Sequence, residues 1–219
     1  MMKIINKCTA TLLDSMGDDL SVANAARVSF DKWKDELDGK DERLIAYLAS
    51  HNHWTPFTHV QVKLRMETPI FVARQWFKHQ VGVSRNEVSR RYVDDEPVFY
   101  IPDKFHARPE GGIKQGSGSV HFHSHEMRGI AIDRSAEARA RYLADIALGI
   151  APEEARMFLP QNTVTAWVET GSLAYFARAC ALRLDTHAQN ATRQLGWAVA
   201  EAVKDIAPLS WAALMEKYL

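Results

Sequence analysis

The stretches 73–80 and 86–92 crowd Arg74, Gln75, Lys78, His79, Gln80, Asn86, Glu87, Ser89, Arg90 and Arg91 into twenty residues. Forked guanidinium groups, a point-charge ammonium and an imidazole that switches near neutral pH are the donors that grip an anionic, planar ligand. The plain alternative is a solvated, charged helix face, which a run of charge commonly is. Gln75, Asn86, Glu87 and Ser89 weigh against it, because a nucleotide base and sugar need such hydrogen-bonding groups beside the charges that hold a phosphate. Two further arginines, Arg156 and Arg183, stand in apolar helical surroundings. A buried guanidinium there needs an anion, either a structural carboxylate such as Asp185 or a ligand phosphate or ionised base.

Other chemistries find less support. Ser89 has no histidine–carboxylate pair nearby in sequence to act as its base, so it is assigned to nucleotide binding and not to nucleophilic attack. Cys8 and Cys180 are far apart and lack metal-ligand spacing, which predicts reduced, buried thiols. His51 and His53, and the alternating His121, His123 and His125, are weak as zinc ligands without a cysteine or carboxylate at close spacing, and no metal is expected. Neither a GxGxxG fingerprint nor a Walker loop is present.

The elements that position these residues follow from period and caps. Residues 7–14 read as a strand and 19–27 as a helix closing near 28–30. Asp41 is placed as the cap of a helix carrying Leu44, Ile45, Tyr47 and Leu48 on one face and ending at 51–53. Val60, Val62, Leu64 and Met66 alternate with polar residues, the period of a half-buried strand. Thr68 as cap and Pro69 at the first helical position open the helix that begins the basic cluster. From Gln80 to Arg90 the period is lost, which predicts a loop wrapped around something, and 107–119 read as a mobile, glycine-rich surface loop. A long helix is expected over 121–148, a short one from Pro152 carrying Arg156, a strand over 162–170, a helix capped by Ser172 through Leu184, and another from 187 to 207.

Twenty-seven basic residues balance twenty-seven acidic ones. No global field therefore draws in nucleic acid or a membrane, and an anion site must be a local cluster. The length of 219 residues, nearly half hydrophobic, suits one domain over 1–219. Without a signal peptide or a bilayer-spanning run, the chain is expected in the cytoplasm.

The segments Gln75-Trp76-Phe77-Lys78-His79-Gln80 and Asn86-Glu87-Val88-Ser89-Arg90-Arg91-Tyr92 resemble the flavin-dependent thymidylate synthases. So, in family order, do Ala26–Phe30, His53–His59, Pro69–Gln75, Ala155–Pro160 and Leu182–Gln189. The family signature is Arg-His-Arg, seven residues, then Ser. Here Lys78-His79-Gln80 replaces the triplet, and eight residues, Val81 to Val88, precede Ser89. Residues 168–172 also depart from the Asn and Arg that some members use for flavin. The compact length and the altered triplet suit a phage-encoded member.

The resemblance implies an α+β fold with a central, mostly antiparallel sheet, flanking helices and a long helical C-terminal half. It implies a homotetramer whose active sites lie between subunits and which methylates dUMP to dTMP, with methylenetetrahydrofolate giving the carbon and NADPH reducing FAD. Carried over residue by residue, Gln75, Lys78, Glu87, Val88, Ser89, Arg91 and Arg156 would hold dUMP. Arg183 would meet the uracil as the catalytic residue. Thr55, Lys78, His79, Gln80, Glu87 and His187 would line FAD, and His53 would order folate or the flavin ring. The rival readings are a flavin-free nucleotide hydrolase or transferase, and a catalytically weakened paralogue that binds dUMP or another nucleotide without turnover.

Overall fold

The computed structural model describes residues 2–109 and 116–218. The first half runs β1 (Ile4–Ile5), β2 (Thr9–Met16), α1 (Asp19–Arg27), α2 (Gly39–Ser50), β3 (Gln61–Pro69), α3 (Ile70–Trp76), β4 (Val83–Glu87) and β5 (Phe99–Tyr100). The second half runs α4 (Ser124–Ala147), α5 (Pro152–Ala155), β6 (Val164–Ser172), α6 (Leu173–Leu184), α7 (Asn190–Val203) and α8 (Pro208–Tyr218). Four strands form an antiparallel sheet in the order β2-β3-β6-β4, and β1 pairs in parallel with β5.

The alternation of β3 buries Val62, Leu64 and Met66 completely, so the strand has one face in the core. In the β3–β6 ladder Leu64 lies opposite Glu169 and Met66 opposite Trp167. α3 continues directly from β3 and α6 directly from β6, leaving opposite ends of this central strand pair. Their C-terminal ends then meet, where an Arg183 Nη donates to the Gln75 carbonyl at 2.8 Å. Trp76, Phe57, Trp167, Phe176, Leu173 and Leu195 fill the interior between sheet and helices.

Several expectations need correcting. The segment expected as a loop from Gln80 to Arg90 contains the edge strand β4, paired with β6 from Val83 opposite Gly171 to Glu87 opposite Trp167. Asp38, not Asp41, caps α2; Asp41 sits at the third helical position and completes a capping box with it. Tyr47 is half exposed, outside the buried face formed by Ile45, Leu48 and Ala49. Thr68 ends a strand and caps nothing; its hydroxyl meets the Cys8 thiol at 3.0 Å, while extended Pro69 is the N-cap of α3 and not its first residue. The long helix begins at Ser124, after His121 and His123. The stretch from 187 to 207 yields α7, and a further helix, α8, follows it. Of the glycine-rich loop, residues 110–115 lie outside the described residues.

Asp41 shows how local the stability of the N-terminal half is. Its carboxylate has no exposed surface, accepts from the Asp38 amide at 2.8 Å and from Lys34 Nζ at 3.0 Å, and pairs with Arg27. Burial alone would raise its pKa, but the Asp38 amide, Lys34 and Arg27 together hold it below the ordinary carboxylate value. Asp41→Asn leaves Arg27 without its anion, while Lys34 keeps Asp38 at 2.6 Å, and is expected to destabilise the chain by about 3 kcal/mol. A lower urea midpoint at unchanged slope measures the loss.

Candidate active site

The site is built around a buried carboxylate. Glu169 has no exposed surface, yet each of its oxygens accepts two hydrogen bonds. Its Oε1 accepts from Trp76 Nε1 at 2.9 Å and from the Tyr175 hydroxyl at 2.7 Å; its Oε2 accepts from Arg85 Nε at 2.5 Å and from Trp167 Nε1 at 2.8 Å. Arg85 stands directly opposite Glu169 in the β4–β6 ladder, so the pair is set by register. An Arg85 Nη also donates to the Tyr175 hydroxyl at 2.6 Å and to the His79 carbonyl. Burial and the neighbouring Glu169 charge push the Tyr175 phenol far up, so it stays protonated.

His79 lies at the end of this network. Its ring sits edge-on to Trp76 and Tyr175, and its Nε2 accepts from Arg183 Nε at 3.1 Å. That acceptor role requires a neutral ring. Burial, with the positive charges of Arg183, Arg85 and Arg178, pulls the imidazole down to about 4. Desolvation likewise lowers the affinity of Arg183 for its proton. Arg183 is thus half-buried between His79 and the Gln75 carbonyl, and Asp185, the structural partner considered for it, instead accepts from the His187 amide at 2.7 Å and meets the His187 ring at 2.8 Å.

Two clefts flank these elements. One, of about 420 Å³, is lined by Arg74, Gln75, Lys78, Leu182, Arg183, Ala188 and Gln189. Arg74 and Lys78 are exposed and have no carboxylate partner among the described residues. The other, of about 660 Å³, takes in Glu87, Val88, Ser89, Arg90, Arg91 and Arg156, with Arg65 and Glu67 from β3, Thr163, and residues 164–166 from β6. There Ser89 Oγ accepts from the Arg91 amide at 3.3 Å and from its Nε at 3.1 Å, and Glu87 accepts from the Thr165 hydroxyl at 2.7 Å. Arg156 is exposed, not buried as expected, and its Nε meets the Glu153 carbonyl at 3.3 Å.

The residues expected to hold dUMP are therefore divided. Gln75, Lys78 and Arg183 line one cleft, while Glu87, Val88, Ser89, Arg91 and Arg156 line the other, and none of the described residues lines both. Thr55, His53, Gln80 and His187 are exposed and line neither. Cys8 and Cys180 are both free and buried, and burial raises both thiols, Cys8 to about 11. Among the described residues no group of histidines, cysteines and carboxylates could hold a metal ion. Arg85, Glu169 and Tyr175 are the residues that motif reading missed. The available signal was a glutamate inside a strand otherwise rich in β-branched and aromatic residues.

The neutral ring of His79 has a consequence for acid stability. The unfolded imidazole takes a proton below about 6.5, whereas the folded one does so only near 4. Acidification through that window therefore favours the unfolded chain, and the stability present above pH 6.5 is lost as pH falls. His79→Gln, which keeps an acceptor for Arg183, is expected to shrink the drop in melting temperature between about pH 7.5 and about pH 5. Thermal melts of both proteins at the two pH values measure the difference.

Comparison with known proteins supplies the family. The model of the thymidylate synthase complementing protein family matches residues 11–209. The flavin-dependent thymidylate synthase of Thermus thermophilus is 37% identical over 218 residues, covering 99% of this chain and 78% of the relative. That of Thermosipho africanus is 35% identical, covering 98% of this chain and 93% of the relative. Among solved structures, the UMP/dUMP methylase PolB from Streptomyces cacaoi bound with 5-Br dUMP superposes with a TM-score of 0.88 at 27% identity, covering 98% of this chain and 97% of that one. The antiparallel sheet with its flanking helices and the clustered cations of residues 74–91 thus find their place together: this chain belongs to the thymidylate synthase complementing protein family, the family of the flavin-dependent thymidylate synthases.

Proposed function

We propose that this chain converts dUMP to dTMP in the cytoplasm as a homotetramer. Methylenetetrahydrofolate gives a one-carbon unit to the pyrimidine, NADPH provides through FAD the two electrons that bring it to a methyl group, and tetrahydrofolate leaves. The observation that carries this reading is the division of the residues expected to bind dUMP between two cation-rich clefts that, among the described residues, share no side chain. A nucleotide held by both halves would draw one from each of two facing copies. Large apolar side chains left exposed, among them Phe30, Trp33, Trp54, Phe158 and Trp197, support burial between copies.

In this reading Arg91 and Arg156 take the phosphate with Ser89, while Glu87 and Val88 meet the nucleoside. Gln75 and Lys78 come from the facing copy. Arg183 arrives with its guanidinium already oriented by the Gln75 carbonyl and by neutral His79, so little reorganisation is needed when negative charge develops on the uracil. Its positive charge favours the ionised pyrimidine and so raises electron density at the carbon to be methylated. The buried, high-pKa thiols of Cys8 and Cys180 fit a reaction that needs no cysteine nucleophile.

The residues present also fit an anionic flavin. Lys78 is an exposed cation without a carboxylate partner among the described residues, suited to a phosphate; His79, Thr55, Gln80, Glu87 and His187 would complete the contacts, and His53 would order the folate or the flavin ring. FAD supplies the hydride-level reducing equivalent when bound. Lys78 keeps a charge where the family signature has a bidentate arginine, and exposed Gln80 keeps hydrogen bonding without charge, so flavin grip rests more on the remaining contacts.

The reading is tested by dTMP formation from dUMP, methylenetetrahydrofolate and NADPH, with and without FAD, and with UMP run beside dUMP. FAD-dependent dTMP is expected; dUMP binding without product would leave the paralogue reading standing. Arg183→Ala is expected to lower kcat roughly a hundredfold or more, and Arg156→Ala to raise the dUMP KM with kcat less affected. Co-assembly of Arg183→Ala with Arg91→Ala subunits should recover activity at about a quarter of the sites, those that combine two intact halves. Recovery of none would place each site within one chain.

A further inference from the structure

We propose that Arg85 and Glu169 act as one positioning unit that fixes His79 and, through it, Arg183. The inference rests on the thymidylate synthase reading for its rate measurement and on geometry alone for the rest. Arg85 stands opposite Glu169 within a segment longer than the family signature: eight residues, Val81 to Val88, separate Gln80 from Ser89 where the signature has seven. Both members of the pair lie in segments that depart from the family pattern, Arg85 in the longer one after the triplet and Glu169 in 168–172.

The guanidinium ties three elements together. Nε meets Glu169 on β6 at 2.5 Å, and an Nη reaches the Tyr175 hydroxyl on α6 at 2.6 Å and the His79 carbonyl just past α3. Its carbon lies 5.2 Å from the Phe77 ring centre and 5.9 Å from that of Tyr175, so aromatic walls limit its motion. Fixing the His79 carbonyl fixes where its ring stands, and Nε2 of that ring accepts from Arg183 Nε at 3.1 Å. Exposed Gln80 leaves the triplet without its second arginine, and Arg85 returns a guanidinium to the same turn from the core side. A purely structural role would not need this geometry, since apolar residues of similar volume commonly replace buried ion pairs without loss of stability.

Three variants test the unit, Arg85→Met, Arg85→Lys and the double variant R85M/E169Q, each read by histidine NMR titration, thermal midpoint and dTMP formation. The charges facing His79 are Arg85 from β4 and Arg178 and Arg183 from α6. Arg85→Met is expected to move the His79 titration up from about 4 toward the ordinary imidazole range, and to lower kcat at least about tenfold with the dUMP KM changed less than about threefold. Arg85→Lys, which keeps charge but not the fork, should restore the titration and only part of kcat. The double variant should regain the thermal stability that Arg85→Met alone loses, because no buried charge is left unpaired, while kcat stays low. An unchanged His79 titration in Arg85→Met, or a double variant that regains kcat together with stability, overturns the proposal. Should Arg85→Met fail to fold, the double variant decides by the same two readouts. A wild-type protein that makes no dTMP would sink the thymidylate synthase reading, and the titration would still decide whether the tie exists.

Discussion

A carboxylate sealed from water must be surrounded by donors, and much of this structure follows from satisfying one of them. Glu169 draws Trp76 from α3, Trp167 from its own strand, Tyr175 from α6 and Arg85 from β4. Three other elements, α3, α6 and β4, must therefore arrive within hydrogen-bond reach of one side chain. Leaving a charge unsatisfied at this depth costs far more than any one hydrogen bond contributes, so the network is made in full or the fold is weakened. The chain places the helix that carries Gln75 and the helix that carries Arg183 on either side of this point.

That arrangement explains how a molecule with no net charge concentrates positive potential. Arg183 is half-buried and hydrogen-bonded to neutral acceptors, the Gln75 carbonyl and the His79 ring, so its charge is not cancelled locally. Arg91, Arg156, Arg74 and Lys78 likewise have no carboxylate partner among the described residues, whereas Arg27, Lys34, Arg85 and Arg139 are engaged in ion pairs. The first four line the two clefts. Their open valence marks where anions are wanted, and the paired ones mark where structure is held.

Local chemistry makes much of the fold legible in the sequence. The start of α6 follows from Ser172, a cap that acts within one turn, β3 from side-chain alternation that a half-buried strand cannot avoid, and β6 from its β-branched and aromatic residues. β4 is not legible because Ser84, Arg85, Asn86 and Glu87 are polar, and its support is pairing with a strand some eighty residues away in sequence. Asp41 reads as a cap because Asp38 and Asp41 serve one capping box from its two ends. In the candidate site, the residue types are legible through their spacing, but their division between two clefts is not. That division depends on where α3, α6 and the 88–98 segment come to rest, which no local pattern encodes.

The opposition of Arg85 and Glu169 also constrains how this chain can have arisen. Arg85 alone stands opposite Glu169, with Ser84 facing Thr170 and Asn86 facing Val168, so a one-residue slip of β4 would bring an uncharged side chain against Glu169. Arg85 without Glu169 would be a largely buried guanidinium with no anion, and Glu169 without Arg85 a buried anion with no guanidinium. Strand register and core charge thus constrain each other, and the turn that sets the register is part of the electrostatics of the core.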